Sequence, residues 1–117
     1  MSLTAFLEKI KRHEPVSFDE TITVITENYN YQPTAFSNGL GAHHAINETR
    51  QNEGSCKIFA FAKLNQLDEQ ETLSLFGDYY RQDVLHDPNG SDHKNIRNFM
   101  RFGWAGISFQ GEALTPK

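Results

Sequence analysis

The sequence predicts an α+β fold, with about four helices packed around a small, mainly antiparallel sheet. Three observations carry that expectation. Apolar residues recur at helical spacing near both ends of the chain, and a turn-rich, Gly- and Asn-containing stretch interrupts the middle. The run over 55–63 is apolar on both of its alternating faces. With 117 residues and 13.4 kDa, the chain fits one domain, 1–117, able to bury a core of its own.

Leu3, Phe6, Leu7 and Ile10 share one side of a first helix over 3–12, opposite Glu8, Lys11 and Arg12, and Pro15 ends it. Ser17-Phe18-Asp19-Glu20 reads as a capping box opening a second helix, with Phe18, Ile22, Ile25 and Tyr29 on one face. Pro33 to Asn38 is extended, and Asn38-Gly39 marks a turn. Residues 39–54 read as an irregular loop with room for one short strand. Cys56, Ile58, Ala60 and Ala62 alternate with Phe59 and Phe61, which predicts a central strand over 55–63, covered on both sides. Asp68 opens a long helix to about His86, with Leu73, Phe76, Tyr80 and Val84 as its core stripe. Asp87-Pro88-Asn89-Gly90 terminates it. Ser91 or Asp92 then caps a last helix ending near Phe102, with Ile96, Phe99 and Met100 inward. A turn around Trp104 leads to a short strand containing Ile107 and Phe109.

Composition excludes several functional classes. Eleven Lys and Arg against 15 Asp and Glu give a net charge of −4, which argues against nucleic acid or an anionic membrane as partner. A single Cys excludes an internal disulfide framework and a Cys-rich zinc module. The run Ile58 to Ala62 is too short to span a bilayer. Glu8, Lys9 and Lys11 break up any signal-peptide core. A chain made in a reducing cytosol is the expectation, with no signal peptide and no transmembrane segment.

Longer motifs add a family likeness. Asn52-Glu53-Gly54-Ser55-Cys56-Lys57-Ile58-Phe59-Ala60-Phe61-Ala62, Leu75-Phe76-Gly77-Asp78-Tyr79-Tyr80-Arg81 and Asp92-His93-Lys94-Asn95-Ile96-Arg97-Asn98-Phe99-Met100 are three of them. With Pro33-Thr34-Ala35-Phe36 and Gly111-Glu112-Ala113-Leu114, they cover nearly the whole chain. Together they resemble the HopJ type III effector family. The resemblance implies a bacterial protein, linked to virulence proteins that a type III apparatus exports into host cells. It implies no catalytic residues.

Candidate chemistry is sparse. Cys56 with His93, or Glu53 with His93, would be the reactive pairs of a hydrolase-type enzyme. Against this, a lone Cys beside Ile58 and Ala60 reads as a buried small hydrophobe. Adjacent His43 and His44 lack a ligand spacing, and an EF-hand counted from Asp87 fails at its sixth and twelfth positions, Asp92 and Asn98. Neither a metal site nor a cofactor is expected. His93, Arg97 and Arg101 recur every fourth position with Lys94 beside them, so one side of the last helix is basic and suits a carboxylate or phosphate on a partner. Trp104 either plugs the core or anchors that partner. Asp83 falls on the apolar arc of its predicted helix and therefore needs a partner, His93 or Arg97. The leading expectation is a non-enzymatic interaction protein contacting a host or bacterial protein through His93, Arg97, Arg101 and Trp104. A cytosolic housekeeping small-molecule binder is the alternative, beside the hydrolase.

Overall fold

The structure, a computed structural model, describes residues 2–117. Its elements run α1 (Leu3–Lys11), α2 (Phe18–Asn28), β1 (Tyr29–Tyr31), β2 (Phe36–Asn38), a 3-10 turn (Gly41–His43), β3 (Ala45–Asn47), α3 (Glu53–Leu64) and α4 (Glu69–Ser74). A π-helical segment (Tyr79–Val84), α5 (Lys94–Phe102), a second 3-10 turn (Gly103–Gly106), β4 (Ser108–Phe109) and β5 (Leu114–Pro116) complete the chain. The α+β expectation holds: four main helices and a short α4 surround small antiparallel sheets.

The centre of the molecule, however, is a helix. The stretch predicted as a central strand over 55–63 lies within α3, and the middle strand of the three-stranded sheet is β2, paired with β3 and β4. The physical reason is burial on every side. Ile58, Phe59, Phe61 and Ala62 are fully enclosed, and a helix apolar all round has no period to distinguish it from a two-faced strand. Phe59 packs its ring against Phe36, Phe76, Phe99 and Trp104, while Phe61 meets Phe6 and Tyr29. Each such ring contributes roughly 1.5–3 kcal/mol of burial free energy, so the other elements are assembled on α3.

Both N-terminal helices form as expected. Ser2 caps α1, and Ser17 with Glu20 makes the reciprocal capping box of α2. Helix α1 ends in a left-handed His13, with Glu14 N bonding Lys9 O and His13 N bonding Ile10 O; α3 ends the same way at Gln66. Tyr29, expected on the helical face of α2, instead starts β1, which pairs with β5 in the register Tyr29–Pro116 to Tyr31–Leu114.

The single long helix predicted over 68–86 is broken. Its start is correct, since Asp68 and Glu71 form a second capping box. At Gly77 the backbone turns left-handed (φ 61°), and a Cβ there would sit 2.6 Å from the backbone nitrogen of Phe18. The chain thus passes against the start of α2 at a distance only glycine allows. It resumes with π-type winding, closed by Leu85 N bonding Tyr80 O. This widened turn points Val84 inward and leaves Asp83 outside, 47% exposed at its side chain, not on the apolar arc.

Candidate functional site

Helix α5 is sharply two-sided. Asn95, Ile96, Asn98 and Phe99 face the interior, whereas Lys94, Arg97, Met100 and Arg101 form the outward arc. Met100, expected inward, is 44% exposed. The helix does not start on a cap from Ser91 or Asp92. His93 occupies the N-cap in a left-handed conformation (φ 50°) and gives the helix no side-chain bond. Its ring serves another contact: Nε2 lies 3.0 Å from Asp83 Oδ2 and 3.7 Å from Asp92 Oδ2, and the imidazole rests against Tyr79. The Asp83–His93 contact expected from the sequence is therefore present, as a strut between the π-helical segment and the start of α5.

Arg97 is a second strut. Nε donates to Asp92 O, Nη1 to Asp87 O at 2.8 Å and Nη2 to Asp92 Oδ1 at 2.6 Å, which ties down the 87–92 loop. Its side chain is 15% exposed, and its hydrogen bond holds the Asp92 carboxyl below the ordinary value. Arg101 is exposed, with Nη1 3.0 Å from His43 Nε2 and its guanidinium 5.3 Å from the centre of the Phe102 ring. Lys94 is exposed and makes no hydrogen bond or ion pair among the described residues. Trp104 closes the core beside Phe59 and Phe99, donating from Nε1 to Leu67 O and from its backbone to Glu69.

A cleft of about 430 Å³ opens where α3 and α5 begin. Phe18, Phe76 and Tyr79 give it aromatic walls; Asn52, Ser55, His93 and Lys94 give it polar ones. Helices α1, α2 and α4 carry side-chain caps, but α3 and α5 do not. The first amides of both therefore find no acceptor among the described residues.

The reactive pairings suggested by the sequence do not assemble. The Cys56 thiol is 1% exposed, 3.8 Å from the Thr34 carbonyl, and burial pushes its pKa up. Tyr31, Glu53 and Lys57 are the titratable groups acting on it, and no His is among them. Glu53 opens α3 on the Tyr31 side, with Lys57 Nζ 4.6 Å over the Tyr31 ring. The Tyr31 hydroxyl is buried without a hydrogen bond of ordinary geometry. Desolvation first, then Cys56 and Glu53, raise its pKa to about 12. His93 belongs to a different set, with Asp83, Asp92 and Tyr79. Among the described residues no three of His, Cys, Asp and Glu gather as metal ligands.

One feature escaped sequence reasoning. Buried Asn38, Asn47, Asn95 and Asn98, joined by Asn52, form a network behind the cleft. Asn95 Nδ2 donates to Asn47 Oδ1, and Asn95 Oδ1 accepts from Asn38 and Asn47. Asn52 donates to Asn47, and Asn98 to the carbonyls of Asn38 and His43. The network fastens α5 to β2, β3 and the start of α3. The concentration of Asn over 38–52 and 95–98 was its only signal.

The family model described as HopJ type III effector protein matches residues 3–114. The chain belongs to that family. A solved structure described as the unknown function protein VPA0580 superposes on this HopJ-family chain with a TM-score of 0.94 at 48% identity, covering 100% of this chain and 95% of that one. No curated protein sequence matches it. The likeness therefore extends to the whole fold, while the described structure carries no activity from which to infer one. No helix among the described residues is long and apolar enough to cross a membrane.

Proposed function

We propose that this HopJ-family protein works by recognition rather than by turning over a substrate, with the cleft at the start of α5 as its binding centre. The observation that carries this reading is the mismatch between binding groups and reactive groups. Aromatic walls, a free Lys94 ammonium and hydroxyl and amide donors converge on one opening, while the only thiol is enclosed, protonated and distant in its contacts from His93. Of the residues first singled out, His93 lines the cleft and Arg101 stands in the last turn of α5, away from it. Arg97 and Trp104 act from behind, holding the 87–92 loop and the core. The test is an amide-shift titration with benzoate as probe, an anion with an aromatic face. Saturable shifts at Gly54, Ser55, Lys94 and Asn95 support the reading, and shifts confined to other regions overturn it.

The family description supports action inside a host cell after type III export. A specific observation favours the second reading, a binder resident in the bacterial cytosol: α1 buries Phe6 and Ile10 in the core, so residues 3–11 are an ordered part of the fold. Fusing residues 1–30 to a reporter, in cells with and without the export apparatus, separates the two. Apparatus-dependent release supports the effector reading.

A further inference from the structure

The outward arc of α5 is built from Lys94, Arg97, Met100 and Arg101, with no acidic residue on it. In a protein of net charge −4, this face stands apart. Four of the eight cations elsewhere are answered by carboxylates, Lys9 by Glu20, Lys11 by Glu71, Arg12 by Glu8 and Glu14 and Arg81 by Asp78, and two more, Lys57 and Lys63, lie over the rings of Tyr31 and Phe109. On α5 only Arg97 is so answered, by Asp92. Lys94 has no hydrogen-bond or ion-pair partner among the described residues, and Arg101 meets no carboxylate, only His43 Nε2 and the Phe102 ring. Met100 lies between them, exposed.

From this arrangement we propose that the outer face of α5 docks a short acidic segment of a partner protein, an extended stretch with two carboxylates flanking apolar residues. This rests on the recognition reading above and supplies its partner. Lys94 and Arg101 are two helical turns apart, roughly 10 Å along the axis, close to the roughly 9 Å between a residue and its third neighbour in a polyproline-II segment, whose three-residue turn sets both side chains on one side. The apolar residues between them would cover Met100, a flexible side chain suited to adaptable contacts. Charge also sets the length of the segment. Asp83, Asp87 and Asp92 cluster at the N-terminal end of the helix, so a polyanion running past Lys94 meets like charge. A nucleic acid, whose affinity grows with the number of phosphates contacted, is disfavoured for that reason; a segment with two carboxylates is accommodated.

The experiment titrates the intact protein with an acetylated, amidated Gly-Glu-Leu-Phe-Glu-Gly peptide, followed by amide shifts and calorimetry, beside the same peptide with both Glu replaced by Gln. The expected result is shifts along 94–101, and about tenfold weaker binding of the Gln peptide, of Lys94→Glu and of Arg101→Glu. Both substitutions are at exposed positions, and thermal melts confirm that the variants fold. Shifts elsewhere, equal binding of the Gln peptide, or equal affinity for a single-stranded oligonucleotide or anionic vesicles overturns the proposal. So does self-association through this face, read as concentration-dependent sedimentation that Arg101→Glu abolishes. Peptide shifts on 94–101 with no benzoate response at Gly54 and Ser55 leave the docking face standing and remove the cleft, so the two readings fail separately.

Discussion

Substituting Asn95 with Ala strikes the junction that holds α5 in place. The side chain makes three hydrogen bonds: Nδ2 to Asn47 Oδ1 at 2.9 Å, and Oδ1 from Asn38 at 2.9 Å and from Asn47 at 3.3 Å. Each is worth about 1 kcal/mol net. No partner is left wholly unpaired, because Asn47 Oδ1 keeps Asn52 and Asn38 Nδ2 keeps the Asn95 backbone carbonyl. The full penalty of orphaned buried groups therefore does not apply. Alanine returns about 0.5 kcal/mol of helix propensity. The expected loss is about 2–3 kcal/mol, or about 8–12 °C in Tm for a domain of this size, read from urea and thermal unfolding. Asn95→Asp separates a hydrogen-bonding role from packing. It keeps the shape but replaces the amide donor to Asn47 with a carboxyl that donates only when protonated, in a buried site that raises its pKa. Its cost should grow as pH rises through that pKa, because the neutral acid can still donate and the anion cannot. A loss under about 0.5 kcal/mol for the Ala variant, or an Asp variant whose penalty is the same at acid and neutral pH, would refute the reasoning.

Two further outcomes follow from other positions. Gly77→Ala should cost about 2–4 kcal/mol, combining a left-handed backbone with a Cβ pressed on the Phe18 nitrogen, and chemical unfolding measures it; a loss below that of an ordinary exposed Gly→Ala change would contradict the close approach. Tyr31 should titrate late: its folded pKa of about 12 stands above the ordinary 10.0, because burial penalises the phenolate, so this group leaves stability unchanged below pH 10 and lowers it as pH rises toward 12. Tyr31→Phe removes both the late step in phenolate absorbance and that alkaline loss, and at neutral pH it should be no less stable, since the hydroxyl makes no good bond.

Legibility in the sequence followed how locally each feature is determined. The starts of α2 and α4 were readable because the Ser17–Glu20 capping box and the helix-opening Asp68 are local signals. The Asp83–His93 contact was readable from two helices joined by a short loop, although the exposure of Asp83 was not, since it depends on the π-type winding after Gly77. The identity of α3 was hidden because its residues are enclosed on every side, and a pattern with no polar face does not choose between periods of 2 and 3.6. The left-handed His93 cap and the pairing of β1 with β5 are set by distant contacts, as is the Asn network, whose members lie at 38, 47, 52, 95 and 98. At the site, the basic character of α5 was legible. Which cations are free and which are struts was not, because it depends on carbonyls and carboxylates of the 87–92 loop folding back onto Arg97.

Recognition without an activated nucleophile is the claim on which the functional account depends, and the reactivity of Cys56 in the native protein probes it most directly. With a bulky maleimide at neutral pH, the account predicts modification no faster than the protein opens, and rapid labelling only once denaturant unfolds it. Fast, stoichiometric labelling of the folded protein would contradict it and return the thiol to the list of catalytic groups.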